Sequence, residues 1–65
     1  MTQETIDLVN GTATMSGRAI NAALQTVQNW QNALVSADLS NRGYLEEGRD
    51  EAIEILDALV AQAIG

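Results

Sequence analysis

The side chains best suited to chemistry in this sequence are carboxylates that cluster beyond the middle of the chain. They are Glu46, Glu47, Asp50, Glu51, Glu54 and Asp57. A carboxylate pair can act as general acid and base, but it needs a cleft that excludes water. The chain contains no Cys, no His and no Lys, and no Ser has a plausible base beside it. The sequence therefore predicts no catalytic residue and a protein that is not an enzyme.

The twelve-residue segment 38–49 resembles the calcium-binding loop of an EF-hand. It has Asp38 at the first loop position and Gly43 at the sixth, which are the residue types that this motif uses there. Arg42 occupies a ligand position, however, and Arg49 replaces the bidentate Glu that ends the loop. Two cations would face the ion, so we expect these residues to form a turn and not to bind a metal. No other cofactor is expected.

The charge balance narrows the range of partners. The formal net charge is −6, and the only cations are Arg18, Arg42 and Arg49. Phosphates need cations to neutralise them, and an anionic membrane surface would repel this chain, so neither nucleic acid nor membrane is expected as a partner. No signal peptide and no apolar run of about 18 residues is visible. We expect a soluble cytoplasmic or otherwise intracellular protein that has no small-molecule substrate.

The length of 65 residues allows a single domain over residues 1–65. A domain this small buries only about 60% of its unfolded surface and usually needs reinforcement. Without Cys or His, neither a disulfide nor the usual metal site can supply it. Oligomerisation is therefore the expected support.

Heptad periodicity predicts an all-α fold built as a two-helix antiparallel hairpin. Apolar residues recur every seventh position from Ile6 to Leu34, which predicts a first helix over about 4–37. Its weak stretch is 10–14, where Gly and Thr lower helix propensity, so the N-terminal dozen residues either fray or form a separate turn. Polar turn residues predict a connection over about 38–43 and a second helix over about 44–64. A connection this short makes the two helices antiparallel neighbours.

The apolar residues predict both the core and a self-association surface. The second helix is apolar around most of its circumference between Ala52 and Ile64, whereas packing on one neighbour needs only a stripe of roughly 100°. Either the first helix covers this surface along its whole length, or a second copy completes a four-helix bundle, which we favour. The residues expected to form the core and the self-association surface are Ile20, Ala23, Leu24, Val27, Trp30, Leu34, Ile53, Leu56, Leu59, Val60 and Ile64.

Two polar faces are candidate surfaces for an outside partner. From Ala19 to Ala37 the first helix carries no charge, and amides can form hydrogen bonds at an interface without the desolvation cost of a charge. Trp30 lies in this stretch and is either a core residue, as its heptad position favours, or an exposed anchor. The carboxylates are most simply a solvated face, although they would also attract a basic partner. The candidate partner-binding residues are Gln25, Gln28, Asn29, Asn32, Glu46, Glu47, Asp50, Glu51 and Glu54.

The function expected from these features is a non-enzymatic protein–protein interaction module, with a second copy of the chain, another protein, or both as partners. An adaptor, an escort, an assembly component and an inhibitor all belong to this class. One alternative is an acidic decoy that occupies the basic, nucleic-acid-binding surface of a partner protein. Another is a structural component of a virion or filament, with which the Lys-free, amide-rich composition is compatible.

Overall fold

The computed structural model describes residues 1–64, and these form three α-helices. The helices are α1 (Gln3–Asn10), α2 (Arg18–Val35) and α3 (Leu39–Ile64), and no strand occurs within the described residues. The predicted all-α fold class is therefore confirmed. The prediction of two helices is wrong, because the first predicted helix is interrupted and its N-terminal part forms a helix of its own.

The interruption over residues 11–17 begins at Gly11, which ends α1. Gly11 has a φ of 80°, in the left-handed region, where glycine pays no Cβ penalty. Its N–H donates to the carbonyl of Leu8 at 3.2 Å, and the N–H of Thr12 donates to that of Asp7 at 2.8 Å. This pair of hydrogen bonds is a Schellman motif, which satisfies the last carbonyls of a helix and turns the chain away from its axis. The predicted continuous helix over 4–37 is corrected accordingly.

The connection between α2 and α3 is also shorter than predicted. The turn expected over 38–43 occupies only Ser36 to Asp38, and α3 begins at Leu39 rather than near residue 44. Gly43, which the predicted connection included, lies inside α3. An interior glycine costs a helix only about 1 kcal/mol, and packing along a helix of 26 residues outweighs that cost.

The core lies along the seam between α2 and α3, the two helices that pack most extensively on each other. The buried apolar residues of α2 that face the seam recur every seven positions, and those of α3 recur every four positions. The buried apolar side chains of these two helices are Ile20, Val27, Leu34, Ala52, Leu56 and Val60. Leu8 of α1 is 2% exposed and forms one cluster with all of these side chains except Leu34. Part of the apolar surface of α3 is thus covered by the chain's own first helix.

The N-terminus of α1 is held against α3 by a hydrogen-bond network centred on Asp57. One carboxylate oxygen, Oδ1, accepts from the Thr2 N–H at 2.9 Å, the Thr2 hydroxyl at 3.2 Å and the Thr5 hydroxyl at 2.8 Å. Thr2 is also the N-cap of α1, since its hydroxyl accepts from the Thr5 N–H at 3.3 Å. Thr5 is fully buried, so the carboxylate satisfies a hydroxyl that water cannot reach.

Lowering the pH is therefore expected to loosen α1 from α3. The Thr2 backbone N–H, then the Thr5 hydroxyl, hold the pKa of Asp57 below its ordinary value, aided by the Thr2 hydroxyl and the N-terminal amine. Because the folded-state pKa is the lower one, this stabilisation is complete above the unfolded-state pKa and is lost as the pH falls through the folded-state pKa. The methyl NMR signals of Leu8, followed against pH, should report the loosening.

The variant Asp57→Asn retains the shape of the side chain but not its charge. It should show a loosened α1 already at neutral pH, and a weaker response of Leu8 to acid. Asp50→Asn, which removes an exposed carboxylate elsewhere on α3, is the control and should behave as the parent chain. If the Leu8 and Leu56 methyl signals of the parent changed together at one pH, α1 would not be a separately acid-sensitive element.

Candidate interaction site

The residues predicted to form the core and the self-association surface fall into three groups. Five are buried, namely Ile20, Val27, Leu34, Leu56 and Val60. Five more pack against the core while remaining half-buried, namely Ala23, Leu24, Trp30, Ile53 and Leu59. Ile64, at the end of α3, is 54% exposed and lies outside the core.

The two sides of the buried stripe on α3 have different neighbours. Successive residues of a helix are rotated by about 100°, so residues directly before and directly after a buried position lie on opposite sides of the stripe. Asp57, directly after Leu56, binds the N-terminus of α1. Ile55, directly before Leu56, is 55% exposed. Helix α1 therefore covers one side of the α2–α3 pair, and the Ile55 side stays open.

A shallow groove of about 210 Å³ runs along this open side, between α2 and α3. Apolar atoms make up most of its wall, which includes the indole of Trp30 and the side chain of Ile55. The seven lining residues are Ala23, Thr26, Trp30, Gly48, Glu51, Ala52 and Ile55. We call this surface the open groove. An apolar groove with a few polar groups at its edge is the usual form of a binding site for a partner segment.

Trp30 rests directly on the backbone of α3 at Gly48. A Cβ atom at Gly48 would lie 2.6 Å from Cη2, 2.7 Å from Cζ3 and 2.8 Å from Cζ2 of the indole. These distances are far shorter than the 3.5–4.0 Å of ordinary carbon contacts. The absence of a side chain at Gly48 is therefore what allows the ring to approach α3 and to form one end of the open groove.

A second cavity of about 430 Å³ adjoins the open groove and shares Trp30, Gly48 and Glu51 with it. Tyr44, which is 72% exposed, forms another part of its wall. The Trp30 and Tyr44 rings meet edge to face, with centroids 6.4 Å apart and planes inclined at 67°. Glu47 and Glu51 complete the lining. We call this cavity the aromatic–acidic pocket.

The candidate partner-binding residues do not lie on one surface. Gln25, Gln28, Asn29 and Asn32 are all exposed and share the face of α2 that points away from the seam. Among the carboxylates, only Glu47 and Glu51 line the aromatic–acidic pocket.

The remaining three carboxylates are placed elsewhere on α3. Glu46 lies 3.9 Å from Arg42, Asp50 lies 3.2 Å from Arg49, and Glu54 is exposed. These carboxylates are therefore either paired with arginine or turned towards solvent, and they do not extend the pocket.

Tyr44, Gly48 and Ile55 were not among the residues predicted to bind a partner. The available signal was Gly48, because a glycine inside a helical pattern often marks a close approach of another group. The identity of that group could not be read from the sequence, since Trp30 is 18 positions away.

Comparison with protein-family models, with curated proteins and with solved structures finds no match to this chain. Among residues 1–64, no helix is both long enough and apolar enough to cross a membrane. The same residues contain no group of three or more carboxylates arranged to hold a metal ion.

Proposed function

We propose that this chain is a non-enzymatic protein–protein interaction module, and that the open groove is its contact surface. The observation that carries the proposal is the one-sided packing of α1. The chain covers the Asp57 side of its α2–α3 pair with its own helix α1. On the other side, Trp30 and Ile55 line the open groove. A helix or an extended segment of a partner would complete the packing there.

The small volume of the open groove, about 210 Å³, favours a single segment of a partner over a broad interface. Because α1 already occupies one side, less apolar surface remains than a two-helix arrangement would leave. A single helix that inserts a few apolar side chains beside Trp30 matches this strip, and a large aromatic ring is a typical anchor of such contacts. We therefore propose that the partner is a different protein. The function would then be that of an adaptor, an escort, an assembly component or an inhibitor.

Self-association into a four-helix bundle is the second candidate. It is supported by the exposed apolar side chains Val35 (88%) and Leu39 (86%) at the α2–α3 connection and Ile64 at the far end of α3. Against it, two copies would each bring a net charge of −6 to the same interface. The acidic decoy is less well supported, because Glu46 and Asp50 of the acidic face are paired with arginines of the same helix. No feature of the fold favours the virion or filament component over the module.

A photo-crosslinking amino acid at position 55 should trap the partner in cells that produce the protein. The same group at position 64 is the matched control, since Ile55 and Ile64 are exposed almost equally, at 55% and 54%, but only Ile55 lines the open groove. We expect an adduct of one defined mass from position 55 and none from position 64. Changing Trp30 to Ala should reduce that adduct several-fold, because the anchor is lost.

Light scattering over a wide concentration range separates the two candidates. A folded monomer, with a position-55 adduct to another protein, is the result expected of the module. A stable dimer whose position-55 adduct contains only this chain would replace the module by the four-helix bundle. Equal adducts from positions 55 and 64 would show that the open groove is not the contact surface.

A further inference from the structure

We propose that the aromatic–acidic pocket binds the guanidinium group of an arginine side chain on the partner. This inference rests on the proposed function and names the chemistry by which the partner is recognised. The pocket brings together the only two aromatic residues of the chain, Trp30 and Tyr44, with the carboxylates of Glu47 and Glu51. Each of these four groups attracts a cation, and no cationic side chain lines the pocket.

The aromatic part of the pocket fits a planar cation. Tyr44 and Trp30 meet at an interplanar angle of 67°, so the two rings form adjoining walls instead of a closed stack. A guanidinium placed in the angle formed by these two walls can lie over the face of one ring and meet the other ring from the side. Cation–π attraction acts within about 6 Å of a ring centroid, and Trp is the strongest of the aromatic partners.

The carboxylates give the pocket its preference for positive charge. Glu47 and Glu51 are one helical turn apart, so their side chains project from neighbouring positions on one face of α3. Arg42 and Arg49 make their ion pairs with Glu46 and Asp50 instead. Within the described residues neither Glu47 nor Glu51 takes part in a salt bridge. Both carboxylates are therefore available to a cation from outside.

The geometry favours arginine over lysine, and a partner over a second copy. A guanidinium is flat and presents a fork of N–H donors, so it can stack on an indole and donate to a carboxylate at the same time. A lysine ammonium is a compact, strongly hydrated charge that does not stack in this way. A second copy would bring nine carboxylates for its three arginines, whereas a basic segment of another protein brings none of that repulsion.

Titration with short blocked peptides tests the inference directly. The probe is acetyl-Gly-Arg-Gly-amide, and its matched control replaces the arginine by citrulline, which has the same shape but no charge. At an ionic strength of about 0.01 M, we expect the arginine peptide to change the fluorescence of Trp30 with at least roughly fivefold higher affinity than the citrulline peptide. Acetyl-Gly-Lys-Gly-amide should bind more weakly than the arginine peptide, by about two- to fivefold.

Variants identify the groups responsible for the difference. The double change Glu47→Gln and Glu51→Gln should reduce affinity for the arginine peptide by roughly five- to tenfold at low salt. Glu54→Gln removes an exposed carboxylate of α3 outside the pocket. It should reduce affinity for the arginine peptide less than twofold, because only a long-range attraction, which salt screens, is lost. Tyr44→Ala should cost about two- to fivefold, whereas Tyr44→Phe should retain most of the affinity because the ring is kept.

Three results would overturn the inference. They are equal affinity for the arginine and citrulline peptides, tighter binding of the lysine peptide, and an effect of Glu54→Gln as large as that of the double change. A position-55 adduct that persists when the peptides show no preference would refute the arginine pocket while leaving the interaction module in place. If no position-55 adduct formed while the arginine peptide was still preferred over the citrulline peptide, the module would be refuted and a cation-binding pocket would remain.

Discussion

Replacing Leu56 by Ala is expected to lower the free energy of unfolding by about 3 kcal/mol. Leu56 is 0% exposed and belongs to the cluster in which residues of all three helices meet, including Leu8 of α1 and Val27 of α2. Removing its side chain loses the transfer free energy of the buried groups and leaves a cavity that rigid helices cannot fill. Domains of this size are only marginally stable, so a loss of this magnitude leaves a large unfolded fraction.

The neighbouring residue is the matched control. Ile55→Ala removes a side chain of the same size that is 55% exposed, so it should cost less than about 1 kcal/mol. Urea denaturation followed by circular dichroism measures both changes. The two variants should therefore separate stability from binding, since Ile55→Ala weakens the partner contact without unfolding the chain. Equal losses of stability from the two variants would mean that the packing around Leu56 is not as the structure has it.

The α2–α3 seam could be predicted from the sequence because heptad periodicity reports local geometry. Residues at positions 20, 27 and 34 recur every seventh place, so they face the same direction on any α-helix, and all three are buried. The break at Gly11 also had a visible signal in the low helix propensity around it. What the sequence could not show is that α1 folds back onto α3, since that depends on tertiary contacts over more than 50 positions.

Asp57 shows that a charge pattern along a helix does not reveal a hydrogen bond to a distant part of the chain. Its position in the carboxylate cluster suggested one more member of a solvated acidic face. In the structure it accepts three hydrogen bonds from the N-terminus of α1, and together with the packing of Leu8 it holds α1 against one side of α3. A carboxylate in a helical charge pattern carries no mark of the donor that will reach it, and here the donors come from the opposite end of the chain.

The candidate site depended on a similar long-range pairing. Trp30 occupied a heptad position that favoured the core, and its ring is half-buried; its role as an anchor for a partner stays a prediction. Its outer edge forms walls of both the open groove and the aromatic–acidic pocket. The residue that makes this position possible is a glycine on the other helix, so the site follows from the pairing of α2 with α3.

Gly48→Ala should therefore displace Trp30, whereas Gly43→Ala should stabilise the protein. Both glycines lie inside α3, where alanine is favoured by about 1 kcal/mol. A Cβ atom at Gly43 meets nothing within 4 Å, but at Gly48 it would lie 2.6–2.8 Å from three indole atoms. Overpacking of this kind typically costs about 1–3 kcal/mol. Gly43→Ala should therefore raise the free energy of unfolding, whereas in Gly48→Ala the overpacking should outweigh that gain and lower it.

The fluorescence of the single tryptophan reports the displacement, and urea denaturation reports the stability. Gly48→Ala should shift the emission to the red as the indole moves towards water, and it should lower affinity for the arginine peptide together with the position-55 adduct. Gly43→Ala should leave the emission and both interactions unchanged. If Gly48→Ala stabilised the chain as much as Gly43→Ala did, with unaltered emission, the indole would not rest on α3, and the open groove and the pocket would lose their common wall.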